Sequence, residues 1–295
     1  MAAPLLIADV PWLLYRAYHG LPKSIEGADG RPVNALLGTV NALLAAIEAR
    51  PPRAVVACFG AEDATYRKRL YPPYHAHREP MPQELAHQWE RAPELLASFG
   101  WTVADAGELE ADDAIGSHAA LESQAGGRAL LLTADRDLYQ AVDERVAVLE
   151  LNKAGAVELG VEQVLERYGV TPEQVPDFIA LRGDPSDGLP GAPGIGAKTA
   201  AELLRAHGTL ERLLELAARQ CAEAGFGDLR RRTAETLHEH DELLRTFKRV
   251  ATLEPIAVQP PADAATDFAG GAAAAGGLGM SRLAARLEVL ATSPG

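Results

Sequence analysis

Acidic residues recur along this chain in four short groups. Asp9 closes the apolar run Leu5–Asp9. Glu110, Asp112 and Asp113 open a helical stretch. Asp135 and Asp137 follow the apolar run Ala129–Thr133. Asp184 and Asp187 sit in Gly-Asp-Pro-Ser-Asp-Gly, a loop between helical segments. Each alone has a plain structural role, because a carboxylate at a helix N-terminus caps it and suits its dipole. As a set they point to chemistry. Converged carboxylates repel one another unless cations stand between them. Hard oxygen ligands select Mg²⁺ or Mn²⁺ over zinc. Two such ions can activate a water and stabilise the leaving oxygen of a phosphodiester. The sequence has neither a Cys–His cluster with zinc spacing nor a Walker-type glycine loop.

A second group lies at 190–200, Pro-Gly-Ala-Pro-Gly-Ile-Gly-Ala-Lys-Thr-Ala. Gly191, Gly194 and Gly196 precede a helix. There they let the backbone approach a phosphate, which a helix N-terminus attracts. Lys198, beside Thr199, adds a point charge. A lone Gly-x-Gly would fit any tight turn. The longer pattern is that of a helix-hairpin-helix.

These groups need elements to bring them together. Leu5–Asp9, Ala54–Phe59, Trp101–Ala104, Ala129–Thr133 and Val146–Leu151 read as strands. Val33–Ala49 carries apolar residues at helical spacing and stops at Pro51-Pro52. Glu84–Phe99 and Ala111–Ser123 also read as helices. Alternating strands and helices imply an α/β fold, a mostly parallel sheet with helices on both faces. Such sheets bind ligands beyond the carboxyl ends of their strands, where Asp9 and Asp135 fall. After residue 152 the strand signal fades. Val161–Tyr168, Pro172–Leu181, Ala197–Ala206, Leu210–Ala218, Leu229–Phe247 and Arg282–Leu290 read as helices. The Ala/Gly-rich stretch Phe268–Gly279 reads as a loose connector.

Composition narrows the setting. The 295 residues are 47% apolar and 23% charged, as in an ordinary globular protein. Two distant cysteines, Cys58 and Cys221, argue against a disulfide framework and suit a reducing cytoplasm. No apolar stretch approaches the roughly 20 residues of a membrane span, so no membrane role is expected. The net charge of −13 weighs against a nucleic-acid partner, but residues 188–252 hold ten Lys/Arg against nine Asp/Glu. Several of the negatives lie in the carboxylate groups that cations would neutralise, and the others read as a solvated acidic surface.

The chain resembles the 5′-3′ exonuclease domain found at the N-terminus of bacterial DNA polymerase I, within the flap endonuclease superfamily. The resemblance is carried by Leu-Leu-Ile-Ala-Asp9, Tyr15-Arg-Ala-Tyr-His19, Tyr74-His-Ala-His-Arg78, Glu110-Ala-Asp-Asp113, Leu132-Thr-Ala-Asp-Arg-Asp-Leu-Tyr-Gln140 and Ala180-Leu-Arg-Gly-Asp-Pro-Ser-Asp187, in that order. It implies a PIN-like catalytic core over 1–170, a helical DNA-binding portion over 171–260 with the helix-hairpin-helix at 188–206, and a C-terminal segment at 261–295. A helical arch over the active site would fall at 66–93. By the same resemblance Asp9, Glu110 and Asp112 would hold one Mg²⁺ or Mn²⁺ ion. Asp135, Asp137 and Asp187 would hold a second, with Asp113 and Asp184 in support. Arg67 and Arg78 would steady the strand under the arch, and His75 would stabilise charge at the scissile phosphate. Tyr74 would contact DNA, as would Gly191, Gly194, Gly196, Lys198 and Thr199, with a K⁺ ion at the hairpin. The substrate would be DNA with 5′ ends, nicks or flaps. The enzyme would be a monomeric, stand-alone form in replication or repair, with a separate DNA polymerase as a partner.

Three departures from the family pattern stand out. Gly60 follows Cys58-Phe59 where the family carries an Asp ligand, leaving Glu62 or Asp63 to replace it. His75 stands where the family has the Lys that stabilises charge at the phosphate. Val10 and Gly188 replace a Gly and an Asn. Arg230-Arg231-Arg232 suits either phosphate or solvent. Three other readings stay open beside the nuclease: a DNA-structure-binding protein silenced at Gly60 and His75, a PIN-like ribonuclease, and an acidic metal-binding protein with no nucleic-acid role.

Overall fold

The computed structural model describes residues 3–152, 155–223 and 226–292. Among these residues six strands form one sheet: β1 (Leu5–Asp9), β2 (Ala54–Phe59), β3 (Thr102–Asp105), β4 (Ala129–Leu132), β5 (Val146–Asn152) and β6 (Gly155–Leu159). Their order is β3-β2-β1-β4-β5-β6. All neighbours are parallel except β5 and β6. β1 and β4 are buried on both faces, which explains why they read as unbroken apolar runs rather than alternating ones. The antiparallel β6 went unread because Gly155–Leu159 is a half-exposed edge strand with little apolar signal. Its pairing with β5 defines it.

Helices cover both faces. On one lie α1 (Val10–Gly20), α2 (Asn34–Ala49) and α4 (Gln83–Ala97), joined by α12 (Phe268–Gly277) and α13 (Ser281–Thr292). On the other lie α5 (Ala111–Gln124), α7 (Val175–Arg182) and the helical portion: α8 (Ala197–His207), α9 (Leu210–Ala222), α10 (Arg231–Glu239) and α11 (Asp241–Ala251). Short helices α3 (Thr65–Leu70) and α6 (Val161–Tyr168) complete the set.

The structure corrects three expectations. Phe268–Gly279 is no loose connector: its first ten residues form α12. Asp267 caps that helix through the Gly270 N–H, Ala272 and Ala275 are buried, and Gly271 faces the ring of Phe99. Small residues there serve close packing. Leu229–Phe247 is two helices, broken at His240. Pro172–Leu181 begins as a 3-10 turn, Pro172–Gln174, before α7.

Of the stretch expected to arch over the pocket, everything from Gln83 onward is in α4 and packs on the body through Leu85, Ala92, Leu95 and Leu96. The buried Gln88 accepts the Ala35 and Leu36 N–H groups at the start of α2. Residues 76–80 form the exposed rim.

Candidate active site

The pocket lies beyond the carboxyl ends of β1 and β4. It is a cavity of about 450 Å³ lined by Asp9, Glu62, Glu110, Asp112, Asp135, Asp137 and Asp187, with Trp12, Tyr15 and Trp89 on one wall and Arg67, Tyr74, His75 and Arg78 on another. Each carboxylate is there for a local reason. Asp9 ends β1 and caps α1: its Oδ1 accepts the Trp12 N–H at 3.0 Å, and its Oδ2 accepts the Thr133 hydroxyl at 2.7 Å. Glu110 caps α5 in a reciprocal box with Asp113. That start of α5 is pressed against the end of β2. A Cβ at Gly60 would come within 2.5 Å of Ala111 N and of the Leu109 carbonyl. A side chain at 60 therefore has no room while this contact stands.

The carboxylates fall into two groups that share Asp135. Burial raises the Asp9 pKa to about 7, opposed by its bonds from Thr133 and Trp12 and reinforced by the charge of Asp135. Burial, then Asp135, Asp9 and Glu110, hold Asp112 well above the carboxylate range. Asp135 is raised by burial and by Asp187 and Asp184, against a bond from the Asp137 N–H. Asp137 is raised well above its ordinary value by burial and by Asp135, Asp187 and Asp184. Mutual repulsion in a desolvated pocket is the arrangement that bound cations relieve. Among the described residues no three potential ligands already close around one point. The donor set is all oxygen, which suits ions that keep several of their own waters, as Mg²⁺ does. The residues present therefore fit divalent ions.

Other expected site residues prove to be internal. Arg67, expected at the DNA strand, is only 3% exposed. It bonds Glu110 at 2.6 Å, Asp113 at 3.0 and 2.7 Å, and the Val250 carbonyl at 3.0 Å. Asp113 is wholly buried and also accepts the Glu254 N–H. The pair ties α3, α5 and the end of α11 together, and Arg67 forms part of the pocket wall behind Glu110. Tyr74, expected to contact DNA, is also buried. Its hydroxyl donates to Glu110 and its ring stacks on His75. The face stacked on His75 is closed to a base. The His75 ring lies between Asp63, 2.7 Å from Nδ1, and Asp187, 3.0 Å from Nε2. Asp63 is further held by Lys68. Of the two acids weighed against Gly60, Glu62 is the one in the pocket, where it accepts the Tyr15 hydroxyl.

Asp184 organises its own loop: it accepts from Arg182 at 2.9 Å and from the Ser186 N–H and hydroxyl, while its backbone pairs with Leu189. Arg78, half-exposed, reaches Asp187 at 3.4 Å.

In the hairpin, Gly191 is buried at φ +70°, and a Cβ there would strike Gly183 N at 2.3 Å. It shapes the turn. Gly194, Gly196 and Lys198 are exposed, with open space around both glycines, and Thr199 is half-buried. Arg231 pairs with Glu235 on an exposed face of α10.

Sequence reading did not single out Trp12. It stands three residues after Asp9, on the helix that Asp9 caps, so a cap read at Asp9 would have put Trp12 in the pocket.

Family models match nearly the whole chain. One for the 5′-3′ exonuclease N-terminal resolvase-like domain matches residues 4–169, and one for the 5′-3′ exonuclease C-terminal SAM fold matches residues 170–265. The chain belongs to the 5′-3′ exonuclease family. A 5′-3′ exonuclease of Mycobacterium tuberculosis is 36% identical over 239 residues, covering 74% of each protein. DNA polymerase I of the same organism is 36% identical over 263 residues, which span 87% of this chain and 29% of the polymerase. The chain thus spans under a third of its polymerase relatives. Among solved structures, a bacteriophage T5 flap endonuclease in a complex with DNA and metal ions has a TM-score of 0.64 at 19% identity, covering 98% of this chain and all of that one. That likeness shows the shared fold of the family: a resolvase-like sheet followed by a helical SAM-like portion.

Proposed function

We propose that this chain is a 5′-3′ exonuclease and 5′-flap endonuclease that hydrolyses DNA phosphodiesters at 5′ ends, nicks or flaps with two Mg²⁺ or Mn²⁺ ions. The observation that carries the reading is the pair of carboxylate groups meeting at Asp135 in a desolvated pocket at the carboxyl edge of the sheet. Asp9, Asp112 and Asp135 would hold one ion, with Glu110 beside them. Asp135, Asp137 and Asp187 would hold the other. Bound there, the ions supply Lewis acidity: they make water a nucleophile at neutral pH and neutralise the charge that builds on the phosphate.

The chain's own residues do the rest. Arg78 stands at the rim to meet a phosphate. Thr133 and the Trp12 N–H aim the Asp9 carboxylate, and Arg67 and Tyr74 aim Glu110. The exposed backbone at Gly194 and Gly196, with Lys198, would hold duplex phosphate, where a K⁺ ion could also sit. The hairpin follows Asp187 directly, so a duplex held there lies beside the pocket. The reading includes a monomer in a reducing cytoplasm, consistent with the two free thiols. It also includes a role in replication or repair, with a separate DNA polymerase as partner.

The test is cleavage of labelled 5′-flap DNA with Mg²⁺ or Mn²⁺, beside Asp112→Asn and an EDTA control. Short 5′ products that vanish in both controls establish the nuclease. Tight flap binding without cleavage would make it a DNA-structure-binding protein, and preferential cleavage of RNA a ribonuclease.

A further inference from the structure

We propose that Tyr74 and His75 form a stacked bracket that sets the spacing of the two carboxylate groups, with His75 the positioning residue of Asp187. The inference rests on the nuclease reading above and assigns His75 a different task from contact with phosphate. The two rings lie 3.7 Å apart, centroid to centroid, and 25° from parallel. Each holds one carboxylate group. The Tyr74 hydroxyl donates to both oxygens of Glu110, at 3.1 and 3.0 Å, beside Asp9 and Asp112. His75 Nε2 lies 3.0 Å from Asp187 Oδ1, beside Asp135 and Asp137.

The backbone repeats the link, since the His75 N–H donates to the Asp187 carbonyl at 3.1 Å. The other ring nitrogen is held by Asp63, and Asp63 by Lys68. Turning the ring would break both carboxylate contacts. With a side chain 2% exposed, His75 is not presented to a DNA strand. Its backbone carries the same message. Among the described residues it is the one non-glycine with positive φ, at 54°. An L-residue reaches that conformation at a cost and keeps it where its surroundings over-determine it. Asp187 lies in a loop outside the sheet, so it needs an external brace to stand opposite Asp135. Partners that orient metal ligands in this way typically change metal affinity on removal.

The experiment is a Mn²⁺ titration without DNA, followed by tryptophan fluorescence, since Trp12 and Trp89 line the pocket. Asp187→Asn and Asp112→Asn identify the two binding events. In His75→Gln the event tied to Asp187 should weaken about tenfold and kcat should fall with it, while KM for flap DNA stays within about twofold. Tyr74→Phe removes one hydroxyl, keeps the ring stack, and should weaken the event tied to Asp112 instead. Unchanged Mn²⁺ binding with a raised KM in His75→Gln would overturn the bracket and return His75 to the phosphate. Should His75→Gln fail to fold, an unaltered titration in Tyr74→Phe overturns it equally. A wild-type protein that binds no Mn²⁺ sinks the nuclease reading and this inference together. Wild-type binding with unaltered variants sinks only the bracket.

Discussion

At the amino ends of the strands, Arg53 sits just before β2 with its charge met by two carboxylates. Its guanidinium takes Glu122 at 3.1 and 2.5 Å, Asp263 at 2.7 Å and the Pro261 carbonyl at 3.0 Å. Its own carbonyl accepts the Ala264 N–H, which straps the segment after α11 across the floor of the sheet. At the carboxyl ends the opposite holds. Asp9, Asp112, Asp135 and Asp137 crowd together, and burial sharpens a mutual repulsion that Arg67, Arg78 and Arg182 only partly offset. Even there, the carboxylates with fixed partners, Glu110 and Asp113, serve to hold the elements in register. The contrast separates acids that serve folding from acids left in conflict, and the conflict marks where a ligand belongs.

The sharpest way to break this contrast is Asp135→Asn, because both groups share that carboxylate. Cleavage should fall on the order of 10⁴-fold, the scale of removing one member of a catalytic unit, with flap binding largely spared in a gel-shift assay. Retained turnover would mean that the crowding at the mouth is incidental.

The floor should answer differently. Arg53→Ala strands the buried Glu122 and should cost about 3 kcal/mol in urea unfolding, with kcat per folded molecule unchanged.

The third test is pH. In the metal-free protein the mouth carboxyls bind protons more tightly than in the unfolded chain. Their contribution to stability should therefore be fully present below pH about 4 and be lost as pH rises towards about 7, the folded value of Asp9. Mg²⁺ should then raise Tm more at pH 8 than at pH 5, and metal-free Asp112→Asn should melt about 2–4 °C above wild type at pH 8. A metal-free Tm that climbs from pH 5 to 8 would contradict the conflict.

The smallest effect concerns DNA. Lys198→Ala, on the exposed start of α8, should weaken flap binding several-fold and flatten the salt slope by about one. Arg50→Ala, on the floor and paired with Glu158, should leave both unchanged.

Much of this molecule was legible without its structure because the signals are local. Buried parallel strands read as apolar runs, a carboxylate at the end of a run lands on the ligand-binding edge, and a glycine-rich turn before a helix announces itself. β1, β2, β4 and β5 and helices α2, α5 and α8 were read to within a residue or two for that reason. β6 and α12 were missed because each is held by partners, β6 by β5 and α12 by α13 and Phe99, rather than by its own composition.

The residues around the carboxylates show the same division more finely. Sequence by itself determined which acids exist, their order, and the family's α/β sheet with its helical portion. Tertiary structure decided which of them face a common pocket and which are spent on holding it. Arg67 is bound by partners 43 to 183 residues away. Gly60 is closed off by the start of α5. His75 is buried between acids 12 and 112 residues distant. A side chain's burial and partners depend on chain segments far from it in sequence, and a local pattern carries no record of them.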